Sequence, residues 1–190
     1  LPPARAVQTG VLLELVAVIG IALLASTESG WVAVAPLLFI YGIGIGLATA
    51  QLTGVVMQDV PMEQNGQGSG SQSTVRQVGS ALGIAVLGSM LFTGVQGNLE
   101  TRLQDTGLTA QQQTQVVELV VDSAGGAIPV LDEILLPQQV SQEVVDEVIY
   151  QSGEAFTQGV QLAAWAASAF LFLGFLSTFK LGRKSKVPLA

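Results

Sequence analysis

The chain has 190 residues, of which 49% are hydrophobic and 11% charged, with a formal net charge of −7. That charged fraction is roughly half of what a soluble globular domain carries, which points to a bilayer rather than to a water-exposed fold. There is no Cys and no His, so disulfides, thiolate nucleophiles, histidine bases and most transition-metal sites are excluded.

Charge-free stretches cover 29–58, 77–99 and 155–179. Each exceeds the roughly 20 residues a spanning helix needs. A fourth apolar block, Val7 to Ser26, is interrupted by Glu14 alone. Four transmembrane helices are therefore expected, at about 7–26, 31–57, 71–96 and 156–180. A signal peptide has one short apolar core, whereas this first block opens a series, so it reads as a span. The chain begins at Leu1 rather than Met, as a fragment of a longer protein would.

In the first helix Glu14 lies about 10 Å from the predicted start, at 1.5 Å per residue. A carboxylate at that depth is a candidate for binding and releasing protons. The plainer reading places it in the interfacial layer, facing water or a basic residue.

The second helix carries Gly42, Gly44 and Gly46, with Gly42 and Gly46 one turn apart. Small residues at that spacing let two helices approach closely. The same glycines do not form a nucleotide fingerprint, which needs a strand before them and an acidic residue beyond. Gln51 and Thr53 face either an aqueous path or a neighbouring helix. Asp59-Val60-Pro61 ends this helix, because proline cannot continue the hydrogen-bond ladder.

Gly66, Gly68 and Gly70 fall in the following loop, and the third helix then opens with Thr74, Arg76 and Gln77 and repeats the small-residue spacing at Gly79 and Gly83. Arg76 sits about 9 Å inside if the helix starts near Gly70. Such a charge costs a few kcal/mol in lipid and is usually turned toward protein or water. It either snorkels to the headgroups or pairs with a carboxylate or backbone carbonyls on another helix, with the Gln77 amide in the same network.

The 59 residues from Gly97 to Ala155 hold ten acidic residues and Arg102 as their one base. Thr109 to Ser123 reads as one short amphipathic helix, and the apolar recurrence of Val140, Val144, Val145, Val148 and Ile149 as a second that runs toward the last span. Joined by the turn from Gly125 to Pro137, they predict a helical hairpin or cap. A solvated, glutamine-rich spacer is the alternative.

The last helix is followed by Lys180, Arg183, Lys184 and Lys186, and Arg5 precedes the first. By the positive-inside rule both ends are cytoplasmic and the acidic segment is external. The organisation expected is three spans over 1–96, the acidic external segment over 97–155, and a last span with a basic tail over 156–190.

The run Gly42-x-Gly44-x-Gly46, then Val60-Pro61-x-Glu63, Gly66-x-Gly68-Ser69-Gly70 and Thr74-x-Arg76-Gln77-x-Gly79-x-Ala81-x-Gly83, resembles the C-terminal part of fourteen-helix drug:proton antiporters of the major facilitator superfamily. Ser73 stands where that pattern usually has Asn, and Gln67 sits between two glycines. The resemblance is carried by the second and third helices, extends to the first and fourth by pattern, and hardly touches the acidic segment.

The resemblance implies an all-α membrane fold in which four transmembrane helices form the C-terminal part of a major facilitator protein. It implies export of drugs or small organic molecules by alternating access, with a proton gradient as the coupling ion and no cofactor, metal or enzymatic activity. Arg76, Gln77, Thr74 and Glu14 are then candidates for transport and gating, Arg76 pairing with a carboxylate in the preceding helices of the same transporter. Gln51 and Thr53 are candidates for the substrate path, and Gly42, Gly46, Gly79 and Gly83 for helix packing. Membrane lipid, a small-molecule substrate and those preceding helices are the expected partners, and nucleic acid is not. A bacterial inner or plasma membrane is the expected location. The rival reading is a complete four-helix membrane protein whose acidic domain is a binding or assembly module. A membrane enzyme is weaker still, because the carboxylates spread along amphipathic faces and do not converge.

Overall fold

A computed structural model describes residues 2–27, 31–58 and 60–179. Among these residues the chain is helical, with no strand. Six α-helices follow one another: α1 Pro3–Leu24, α2 Trp31–Met57, α3 Asn65–Leu103, α4 Ala110–Asp122, α5 Leu131–Leu135 and α6 Gln142–Thr178. Four of them, α1, α2, α3 and α6, are long and apolar enough to cross a membrane.

The spans differ from the sequence expectation at their ends. Helix α1 starts at Pro3 rather than near 7, since proline at the first helical positions gives up a donor that would be unbonded there anyway. Helix α3 starts at Asn65 rather than near 71, so Gly66, Gly68 and Gly70 are helical and not loop. Side chains here bond back into the helix: Ser69 Oγ donates to the Gly66 carbonyl at 3.2 Å and Thr74 Oγ1 to the Gly70 carbonyl at 3.0 Å. Gly68 lies against Met57 and Val60, where a Cβ would come within 3.1 Å of both. Asp59, expected at the end of α2, lies outside the described residues, as do the basic residues from Lys180 onward.

At the other end α3 continues to Leu103 rather than stopping near 96, and α6 begins at Gln142 rather than 156. The acidic segment is therefore not a free-standing hairpin. Its first and last stretches are the projecting ends of two spans, and α4 and α5 pack on them. The reason is burial. Val95, Leu99 and Leu103 of α3 meet Val116, Val117 and Val120 of α4, Leu131 and Leu135 of α5, and Val145, Val148 and Ala155 of α6 in one apolar core. The alternative of a solvated spacer does not hold for this segment.

Local chemistry fixes the cap. Thr109 and Gln112 form a reciprocal capping box at the start of α4, which satisfies two otherwise unbonded donors. Gln113 Nε2 donates to the carbonyls of Leu103 and Leu108, both at 3.1 Å, closing the end of α3. Gly125 has φ +84, and a Cβ there would fall 2.8 Å from the Phe156 ring. Glycine is required on both counts. Arg102 Nη1 donates to Gln151 Oε1 at 2.6 Å and Gln151 Nε2 to Glu147 Oε1 at 2.6 Å, linking α3 to α6 with the segment's one base.

Below the cap, α1 packs closely on α2 and lies along α6. Polar contacts tie α1 to α6 at both ends. Gln161 Nε2 donates to the Ala25 carbonyl at 2.7 Å and Thr27 Oγ1 to Glu154 Oε1 near the cap, and Gln8 Nε2 donates to the Thr178 carbonyl at 3.2 Å at the far end. Helix α3 behaves differently. Its cap-side half is held on α6 through Gly159, which receives Val95 and the Leu91 carbonyl, while its other half leans away and leaves Val75, Leu82 and Ile84 more than 60% exposed.

Candidate functional site

Where α3 leans away, the four spans line a half-open cavity of about 870 Å³. Its walls are Val7, Val11 and Val18 of α1, Tyr41, Ala48 and Leu52 of α2, Gly79, Leu82, Gly83, Val86 and Leu87 of α3, and the α6 stretch from Ala167 to Thr178. No charged residue lines it. The hydroxyls of Ser177 and Thr178 are already committed, donating at 2.6 Å to the carbonyls of Gly174 and Phe175. The size falls within the range of small-molecule sites, and the apolar lining is typical of them.

Among the described residues the glycines expected to mediate helix packing meet no neighbouring helix. Gly79 and Gly83 line the cavity, and a Cβ at either would meet no atom within 4 Å. Gly42 and Gly46 are exposed and equally open. The close approach of α1 and α2 runs instead through Gly10 and Gly44, where an added Cβ would lie 2.7 Å from the other helix's backbone. The glycine triplet signals close packing, but the i, i+4 pairing picks its outer members. Successive helical residues turn by about 100°, so Gly44 faces away from its neighbours.

Arg76 is exposed and has no hydrogen bond or ion pair among the described residues. It belongs to a stripe that reads Gln72, Arg76, Gly79, Gly83, Leu87, at spacings of three and four along one helix face. Gln72 Nε2 donates to Thr53 Oγ1 of α2 at 3.2 Å, so the stripe touches α2 at the end farthest from the cap and widens into the cavity above. Arg76 stands between the contact and the cavity. Thr53 is thus part of a bridge between helices, the more ordinary of its two expected roles, and Gln51 is not among the lining residues. Gln77, one residue round the helix from Arg76, makes no described hydrogen bond, and Thr74 is satisfied within its own helix.

Glu14 occupies the middle of α1 and is partly buried. It sits on the stripe Val7, Val11, Glu14, Val18, whose other members line the cavity. The side chain rests against Gly44, where a Cβ would come 2.8 Å from Glu14 Cγ. Tyr41, Gln72, Ser177 and Gly10 carry no motif of their own, and Gly44 is the middle glycine of its run rather than one of the paired outer ones. Only the packing of α1, α2, α3 and α6 selects them.

The sequence profile of the Major Facilitator Superfamily matches residues 1–84. The multidrug resistance protein Stp of Mycobacterium tuberculosis is 32% identical over 145 residues, covering 73% of this chain and 25% of Stp. A tetracycline resistance determinant of Streptomyces rimosus is 26% identical over 174 residues, covering 87% of this chain and 49% of that protein. A probable actinorhodin transporter of Streptomyces coelicolor is 33% identical over 72 residues, 38% of this chain and 12% of that one. No solved structure matches. The chain spans a quarter of the length of Stp and about half that of the tetracycline determinant. With a matching profile over the first two spans and into the third, and with four spans of membrane length, the chain belongs to the major facilitator superfamily.

Proposed function

We propose that this chain is part of a transporter that exports lipophilic drug-like molecules in exchange for protons, by alternating access, and that the cavity beneath α3 lies on the substrate path. The observation that carries this reading is the uncharged cavity of about 870 Å³ bounded by all four spans. It occurs in a superfamily member whose relatives are named for resistance to drugs or for transport. The basic residues after α6 and Arg5 before α1 favour a cytoplasmic far end, with the cap outside.

In this reading Arg76 closes the cytoplasmic mouth by pairing with a carboxylate elsewhere in the transporter, and Glu14 takes up the coupling proton. The exposed position of Arg76 between the Gln72–Thr53 contact and the cavity supports its assignment. A charge so placed is kept where it finds a partner.

The test is tetracycline accumulation in cells that express the intact protein, its Arg76→Ala variant, or neither. The intact protein should lower accumulation, a protonophore should reverse this, and Arg76→Ala should abolish it with membrane expression unchanged. Unchanged accumulation with the protein present in the membrane would overturn drug export. Insensitivity to the protonophore would overturn proton coupling, and normal efflux by Arg76→Ala would overturn the gate.

A further inference from the structure

Residues 123–131 turn the chain from α4 into α5 and read Ser, Ala, Gly, Gly, Ala, Ile, Pro, Val, Leu. The stretch holds no charge and no side-chain amide, with Asp122 before it and Asp132 and Glu133 after it. Ala124, Gly126, Pro129 and Val130 are exposed, Val130 by 41%. In a segment otherwise dense in carboxylates and glutamines, this turn presents an apolar surface.

Its backbone needs no water. The N–H of Ser123 donates to the Leu119 carbonyl at 3.1 Å, that of Ala124 to Val121 at 3.0 Å, that of Gly125 to Val120 at 2.8 Å and that of Gly126 to Ser123 at 3.0 Å. The Ala127 N–H donates to Ser123 Oγ at 2.9 Å, and those of Ile128, Val130 and Leu131 to the carbonyls of Gly125, Ala127 and Ile128. Pro129 has no N–H to donate. The left-handed pair Ala124 and Gly125, at φ +49 and +84, reverses the chain within reach of the last α4 carbonyls. Every backbone donor across the turn is therefore bonded inside the protein, as a segment entering a medium poor in hydrogen-bonding partners requires.

The turn also lies at the level where the spans leave the membrane. Helix α1 has 22 residues and is about 33 Å long, close to the roughly 30 Å of a hydrocarbon core. Its cap-side end therefore marks one edge of that core. Just past this end the Ala25 carbonyl accepts from Gln161 Nε2 at 2.7 Å, and Thr27 Oγ1 donates to Glu154 Oε1. The edge thus crosses α6 between residues 154 and 161. Phe156 falls in that interval, and Gly125 sits against its ring. Glu143, near the start of α6, stands about 20 Å farther out.

We propose that residues 123–131 form a foot by which the cap rests in the interfacial layer of the cap-side leaflet, with Pro129 and Val130 against lipid. This goes beyond the transport reading and rests on the four spans alone. The partner is the boundary between headgroups and acyl chains, where a short apolar surface with a polar margin is held. It is not an anionic headgroup, because Asp122, Asp132 and Glu133 at the two ends of the turn would repel one. Seated there, the foot braces the projecting ends of α3 and α6 against the leaflet.

The test is the depth of a fluorophore on Val130→Cys, labelled at that cysteine alone, in the purified intact protein in phosphatidylcholine nanodiscs. Glu143→Cys is the solvated comparison. The two quenchers are aqueous iodide and a phosphatidylcholine whose acyl chain carries a nitroxide close to the glycerol. An interfacial segment is buried about 5–10 Å into the headgroup boundary, so iodide quenching at Val130→Cys should be about fivefold or more below that at Glu143→Cys. The lipid nitroxide should quench Val130→Cys and spare Glu143→Cys. Ala124→Cys, in the same turn, should repeat the pattern, and it decides the matter if Val130→Cys does not fold.

Iodide quenching at Val130→Cys equal to that at Glu143→Cys would overturn the proposal, since the turn is then solvated. Shielding from both quenchers would overturn it as well, because protein rather than lipid then covers the turn. Either result leaves drug export standing, and a failure of export in the accumulation assay leaves the foot standing.

Discussion

Replacing Gly44 with Ala tests the packing most directly, because the same helix supplies its own control. The Cβ that alanine adds would lie 2.7 Å from the Gly10 carbonyl oxygen, 2.8 Å from Glu14 Cγ and 2.9 Å from the Glu14 nitrogen. Two of these three obstacles are main chain and cannot rotate aside. Ordinary contact begins at 3.4 Å, so α1 and α2 must separate by roughly 0.7 Å along their seam. That gives up dispersion contact and the weak Cα–H···O bonds that close helices exchange. Overpacking of this kind costs about 1–3 kcal/mol, and main-chain obstruction places it in the upper half of the range. For a chain of this size such a loss lowers the melting midpoint by roughly 4–12 °C. At Gly46, two residues along, the added methyl meets nothing within 4 Å. Gly46→Ala should leave the midpoint unchanged or raise it slightly, since alanine is the better helix former by about 1 kcal/mol. The assay is thermal unfolding of the purified chain in detergent, followed by size-exclusion recovery. A Gly44→Ala midpoint equal to wild type, or a Gly46→Ala loss as large as that of Gly44→Ala, would refute the assignment of the seam.

The cap and α6 give two further expectations. Leu131 is fully buried in the cap core, so Leu131→Ala should cost about 2–5 kcal/mol and strip amide-exchange protection from α4 and α5 while sparing α1 and α2. Uniform loss across all helices would show that the cap is not a local folding unit. Ser152 Oγ is fully buried with no hydrogen-bond partner among the described residues. Ser152→Ala should therefore raise the melting midpoint, since an unsatisfied buried polar group costs about 1–3 kcal/mol, and a fall would show that the hydroxyl has a partner in the folded protein.

The four spans are legible in the sequence because the bilayer imposes one requirement on every residue of a segment, and a run of uncharged apolar side chains meets it wherever the neighbours lie. The family was legible for a related reason. The glycine, Thr74 and Arg76 pattern is local and keeps its spacing whether or not its partners are visible. Capping at Thr109, signalled by Gln112 three residues on, and the amphipathic stripe of Val145 and Val148 are likewise local chemistry.

What the sequence left open depends on pairs of residues far apart in the chain. Whether α3 ended near 96 or ran to Leu103 was settled by Leu99 and Leu103 finding a core made by α4, α5 and α6. Whether Gly42 and Gly46 or Gly44 formed the tight contact was settled by which face of α2 meets Gly10. Gly79 and Gly83 read as packing residues in one dimension and bound an open cavity in three. The sequence by itself determined which segments enter the membrane, since that follows from transfer of each segment out of water. Only the tertiary structure decided which of their faces touch, because in an apolar solvent one face of an apolar helix resembles another until shape and small residues select the fit.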